Sequence, residues 1–204
     1  MDISLSTAFG FALTSLLIEL TPGPNMTYLA LLGVQAGRRA GYAAVAGVAL
    51  GLAVIGLATA LGLSAVITAS PLLYAALRWV GVVYLVYLAW DAWRDSTRPD
   101  DVPDQPAARF FVRGLITNLL NPKAAVFYIA VLPTFLDPAF HPARQAVTLS
   151  TIYVLVATTV HATIVTLASL LRPMLTNKRL TAIAGKLFAL ALICVAAWIA
   201  WSTR

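Results

Sequence analysis

Two short clusters in this chain combine helix breakers with polar side chains: Thr21-Pro22-Gly23-Pro24-Asn25 and Asn121-Pro122-Lys123. A proline within a helix has no N–H to donate, and its ring clashes with the carbonyl four residues earlier. Carbonyls around Ile18 to Leu20 therefore lose their helical partners, and Gly23 lets the chain turn. A helix restarting at Pro24 leaves N–H groups near Asn25, Met26 and Thr27 unpaired. Such N–H groups attract a carboxylate, and freed carbonyls attract an ammonium group or a cation. A small dipolar molecule carrying both charges suits this chemistry. The plainer alternative is a kink whose orphaned groups are satisfied by neighbouring helices.

Thr21, Gly23, Asn25, Asn121 and Lys123 are accordingly the candidate substrate-binding residues. Lys123 opens a helix, where the helix dipole opposes its charge, so it needs an anionic partner or water. It can hold a substrate carboxylate, pair with Glu19, or snorkel to the interface. Asn25, Asn118, Asn121, Thr21 and Thr27 supply polar groups around both breaks, each equally suited to capping a helix. Glu19 is the carboxylate embedded in the first apolar run, and His161 lies in the middle of the fifth. Both are candidates for proton coupling, since either can take up and release a proton; a structural pair or a satisfied buried histidine is the alternative. Arg78, Asp91 and Lys186 lie nearer the ends of their runs, where long side chains snorkel. No catalytic residues, cofactor or metal site are expected. Cys194 is the single cysteine and sits in an apolar run, which suits a small buried hydrophobe.

The elements that position these residues follow from composition. Of 204 residues, 60% are hydrophobic and 11% charged, with a mean hydropathy of +0.85. Soluble domains carry roughly 25% charged residues, so most of this surface faces lipid. The net charge of +6 does not indicate nucleic acid, because the basic residues form no stripe and sit in short gaps between apolar runs. Those runs lie at about 7–33, 42–67, 71–90, 110–136, 145–171 and 180–201. Crossing a bilayer takes roughly 20 helical residues, which predicts an all-α membrane protein of about six transmembrane helices. Strands are excluded because an isolated strand cannot satisfy its backbone in lipid.

Orientation follows from the basic residues. Arg38, Arg39, Arg94, Arg98, Arg109, Arg113, Arg172, Lys178 and Arg179 fall on one side, with Arg78, Arg144 and Arg204 on the other. The richer side is cytoplasmic, which predicts an inner-membrane protein with both termini periplasmic. Met1 to Thr7 contains no lysine or arginine, so the first run reads as a retained span rather than a signal peptide. The whole chain is one transporter domain: a repeat over about 1–90, a cytoplasmic linker over about 91–109 and a second repeat over about 110–204. Offset by one hundred positions, Phe11, Leu20, Pro22, Tyr28, Ala30 and Leu32 meet Phe111, Leu120, Pro122, Tyr128, Ala130 and Leu132. An odd number of spans in each half makes this an inverted repeat, with helices 1 and 4 broken. Gly47 and Gly51, extended by Ala43, form a small face for close helix packing, within the chain or between subunits.

The same residues carry a resemblance. Thr21-Pro22-Gly23-Pro24-Asn25, Gly37-Arg38-Arg39-Ala40-Gly41, Gly47-Val48-Ala49-Leu50-Gly51, Gly81-Val82-Val83-Tyr84-Leu85, Asn121-Pro122-Lys123-Ala124-Ala125 and Leu132-Pro133 resemble motifs of the lysine-exporter (LysE) and threonine/homoserine-exporter (RhtB) family. The likeness runs through nearly the whole chain. It implies efflux of amino acids or derivatives such as threonine, homoserine or homoserine lactone, coupled to the proton-motive force, by a homodimer. Where many relatives have an acidic residue after the span 2 glycines, Leu52 and Ala53 follow Gly51, and span 5 offers His161. The alternatives are a metal-cation exporter, for which Glu19, His161 and Cys194 are sparse ligands, and a membrane-embedded enzyme, whose usual motifs are absent. The expected partners are an amino-acid-like small molecule, membrane lipid and a second copy of the chain.

Overall fold

A computed structural model describes residues 3–21, 23–62, 71–96 and 106–171, together with residues 183, 186–187, 189–191, 193–194, 196–197 and 201. Among these every regular element is helical and none is a strand. Pro22, the first proline of the Pro-Gly-Pro cluster, lies outside the described residues.

Helix α1 spans Leu5–Leu20. It starts where Ser4 Oγ accepts the Thr7 N–H at 3.1 Å, an N-cap that satisfies one orphan donor. It stops at Thr21, whose N–H and hydroxyl both turn back to the Ile18 carbonyl. Helix α2, Pro24–Ala60, begins with proline at a position where the missing N–H costs nothing. Its 37 residues contain one non-helical position, Gly37, with φ 81° and ψ −172°. A positive φ of this kind favours glycine, and it divides α2 into two helical pieces on either side. The expected gap between the first two spans, 34–41, is thus corrected to a single glycine turn. Arg38 and Arg39 continue helically beyond it.

Helix α3 covers Pro71–Ser96, and α4 covers Ala107–Leu119. The short α5, Pro122–Val126, is capped by Asn121. It runs on through a π turn, Phe127–Val131, and a 3-10 turn, Leu132–Phe135. Helix α6 spans Pro142–Leu170. The described residues between 183 and 201 are helical as well. Helices α2 and α6 are each long and apolar enough to cross a membrane, and Ala107–Leu119 with Lys123–Phe135 makes a pair bent by 51° that passes the same test together.

Packing explains the arrangement. The long α2 lies against both α4 and α6, and α1 lies against α6. A Cβ on Gly47 would collide with the Phe111 carbonyl, and one on Gly114 with the Ala44 carbonyl. The small face around Gly47 therefore serves a contact within the chain, between α2 and α4. Ala44, fully buried, lines it rather than the half-buried Ala43. Phe11, Phe127, Tyr128 and Tyr153 form the aromatic centre, with Phe127 stacked on Tyr153 at 3.7 Å between centroids. Toward the end of α6, Arg38 Nε donates to Ser169 Oγ at 3.0 Å and Tyr42 hydrogen-bonds Thr166 at 2.8 Å.

Large apolar side chains also cover the outside. Leu17, Leu57, Val83, Leu155, Leu167 and Leu187 are all exposed, a surface that water would not tolerate over such an area but lipid accepts. Cys194 is exposed on the C-terminal helical segment, which corrects the expectation that it is packed inside the chain.

Candidate functional site

Buried polar residues Glu19, Asn25, Thr117, Asn118 and Asn121 lie where α1, α2, α4 and α5 begin or end, and His161 faces them from α6. Glu19, in the last turn of α1, is buried. Its Oε1 accepts the hydroxyl of Tyr153 at 2.6 Å, and its Oε2 lies 3.2 Å from His161 Nε2. Tyr153 and His161 both stand on α6. The sequence Tyr153, Ala157, His161, Val165 advances by fours, which places one above another on a single helix face. All four are buried. His161 Nδ1 has no hydrogen-bond partner among the described residues.

One turn beyond Glu19, the chain is extended at Thr21 and Gly23. The carbonyl oxygen of Thr21 accepts the ammonium of Lys123 at 2.8 Å. Lys123 thereby links the start of α5 to the end of α1. Its backbone N–H donates to Asn121 Oδ1 at 3.0 Å, so Asn121 acts as a helix cap. Of the roles open to Lys123 in the sequence, a bond to a backbone carbonyl was not among them. The charges of Glu19 and Lys123 still act on each other, but the Glu19 carboxylate is held by Tyr153 and faces His161.

Asn25, in the first turn of α2, donates its amide to Asn118 Oδ1 at 2.7 Å. Asn118 closes α4, is fully buried, and packs its amide nitrogen where Gly51 lacks a side chain. Asn25 Oδ1 and Asn118 Nδ2 have no further partner among the described residues. Thr27 completes the restart of α2, its N–H donating to the Gly23 carbonyl.

All seven candidate residues are described, and they fall into three bonded groups. Glu19 meets His161, Thr21 and Gly23 meet Lys123 with Asn121 behind it, and Asn25 meets Asn118. Tyr153 was missed by sequence reasoning, although its four-residue steps from His161 were available as a signal. Tyr128 was also missed; its hydroxyl donates to the Leu52 carbonyl at 2.9 Å from within the π turn. That carbonyl follows Gly51, where many relatives were expected to carry an acid. Short π segments recur at functional sites, but nothing in the residue types announced this one.

The site holds carbonyl and carboxylate acceptors close to an ammonium donor, in a setting of apolar helices. It can bind a small dipolar solute and can move a proton at Glu19 or His161. Among the described residues, no three His, Cys, Asp or Glu side chains converge as metal ligands.

Comparison with known proteins adds the lineage. The chain is 32% identical to an uncharacterized membrane protein of Pseudomonas aeruginosa over 164 residues, 76% of each chain. It is 32% identical to a homoserine/homoserine lactone efflux protein of Salmonella typhimurium over 133 residues, covering 64% of this chain and 65% of that one. A leucine efflux protein of Klebsiella pneumoniae is 32% identical over 124 residues, covering 59% of this chain and 58% of that protein. No solved structure matches. The family model described as LysE type translocator matches residues 16–203, which takes in both polar clusters, and the chain therefore belongs to the LysE family of translocators.

Proposed function

We propose that this protein is a secondary transporter that exports amino acids or close derivatives across the bacterial inner membrane, coupled to protons. The observation that carries the reading is the bond between Lys123 and the Thr21 carbonyl, which joins the two polar clusters into one place. An ammonium and a helix-end carbonyl side by side offer a carboxylate donor and an ammonium acceptor, the two requirements of an amino acid. Relatives named for export of homoserine, homoserine lactone and leucine support the substrate class.

In this reading Thr21, Gly23, Asn25, Asn121 and Lys123 bind substrate, and Glu19 with His161 carries the coupling proton. The helices on either side of each cluster are halves of broken spans, arranged as two inverted three-helix repeats that rock about the site. The termini are periplasmic, and the protein works as a homodimer.

The test is efflux from proteoliposomes preloaded with labelled leucine, threonine, homoserine and other amino acids, with and without an imposed pH gradient. Release of a subset, stimulated by the gradient, is the expected result. Absence of release for every amino acid, from protein shown to be folded and inserted, would overturn the reading.

A further inference from the structure

Lys123 makes its bond in an instructive place. The Thr21 carbonyl lies just past the last residue of α1 on extended backbone, outside the helical hydrogen-bond ladder, so its partner must come from elsewhere. Lys123 reaches it from the far cluster by passing over Gly23. An added Cβ on Gly23 would sit 3.2 Å from Lys123 Cδ and 3.7 Å from Nζ, so the missing side chain gives the lysine its track. Thr21 is exposed and Lys123 half-buried, which leaves the bond within reach of a small solute. The ammonium has three donors, and among the described residues the Thr21 carbonyl is its one hydrogen-bond acceptor.

A primary ammonium on a helix-end carbonyl is the contact that the α-ammonium of an amino acid would make at the same point. We propose that Lys123 is a tethered stand-in for the substrate's ammonium group. While the site is empty it holds the Thr21 carbonyl; when substrate enters, the α-ammonium takes that carbonyl and the freed lysine turns to the carboxylate. This rests on the reading of the chain as an amino-acid exporter and adds an exchange step to it. One N–H···O bond replaces another, so the carbonyl keeps a donor in both states.

The exchange sets specificity by the backbone of the substrate. A zwitterion gives the displaced lysine a new partner. An amine without a carboxylate evicts the lysine and offers it nothing, so amides, and lactones with them, bind more weakly than the parent amino acid. Lys123 thus selects α-amino acids as a class, whatever their side chain.

The experiment is counterflow of labelled leucine or homoserine in proteoliposomes, inhibited by leucine, by leucinamide, and by homoserine and its lactone. Wild-type counterflow is read first, so that a failure of the exporter reading is seen separately; if no amino acid is carried, the exchange falls with it. In Lys123→Met, inhibition by the amino acid weakens by roughly tenfold and inhibition by the amide strengthens by roughly tenfold, each about 1.4 kcal/mol. An unchanged amide would make Lys123 a carboxylate partner only and overturn the proposal. Equal weakening of both ligands would make the lysine structural and overturn it too. Should Lys123→Met fail to fold, Gly23→Ala crowds the lysine without removing its charge. The amide must then inhibit more strongly, and no gain would overturn the exchange.

Discussion

The ends of α1 and α4 are anchored by opposite chemistry. Glu19 at the end of α1 is held by Tyr153 and His161 of α6, a carboxylate, a phenol and an imidazole. Asn118 at the end of α4 accepts from Asn25 and fills the space beside Gly51 of α2, an amide against an amide. Both anchors are buried, and each fastens a helix of 16 or 13 residues to a longer one. The amide pair has the same charge at every pH, whereas the Glu19 group changes when a proton arrives or leaves. On the proposed function, α4 on α2 is the fixed framework, and the contact of α1 with α6 is the one a proton can loosen. The glycines agree with this division. The α2–α4 contact is closed by backbone against backbone at Gly47 and Gly114, whereas α1 meets α6 through side chains.

Charging the neutral anchor breaks the comparison most severely. Asn118→Asp places a carboxylate at a fully buried position whose described hydrogen-bond partner is the Asn25 amide. An uncompensated buried charge costs about 3–5 kcal/mol. Thermal unfolding in detergent should shift down by roughly 10 °C for a chain of this size. A melting temperature equal to wild type would mean that the α4 anchor is open to water and no framework.

Gly47→Ala comes next. Its Cβ meets the Phe111 carbonyl, and backbone cannot step aside without moving a helix, so about 1–3 kcal/mol is expected from overpacking. Gly51→Ala meets the Asn118 amide at 2.7 Å, the end of a side chain, and should cost less. Equal melting temperatures for the two variants would show that Asn118 is as immobile as backbone.

The sequence made half of this comparison legible. Glu19 and His161 stand out because ionisable groups are rare in apolar runs, and the two Pro-containing clusters stand out because breakers are rare in spans. The helical, lipid-facing character followed from composition alone. The turn at Gly37 was misread as a loop over 34–41, because glycine and two arginines look like a connection. A single residue at φ 81° is enough to turn the chain, and Arg38 and Arg39 remain helical. The partners were harder. Tyr153 is one of seven tyrosines, and its bond to Glu19 depends on the packing of α1 on α6. Lys123 found a backbone carbonyl, an acceptor that every residue has and no side chain advertises. Asn118 was visible as a polar residue near a break, but its place against Gly51 depends on how closely α2 and α4 approach.

Tyr153→Phe probes the charged anchor by removing one hydrogen bond to an ionisable group. The loss should fall near the lower end for such bonds, about 1.5 kcal/mol, because His161 remains beside the carboxylate. A double-mutant cycle with Glu19→Gln separates the pair from its surroundings, and a coupling below about 0.5 kcal/mol would show that the bond does not hold α1 on α6.

Glu19→Gln alone should disturb stability least of these variants and yet divide the two ends most clearly. Glutamine keeps the length of the side chain and an acceptor for the Tyr153 hydroxyl, and its amide can face His161, so a change of about 1 kcal/mol or less is expected. What it cannot do is exchange a proton. Efflux driven by a pH gradient should therefore fall at least tenfold more than counterflow, in which substrate exchanges for substrate and no net proton movement is needed. If both fall by the same factor, Glu19 binds or positions substrate, and the proton is carried elsewhere. If neither falls, the charged anchor is as passive as the Asn25–Asn118 pair, and the chemical difference between the two helix ends has no part in transport.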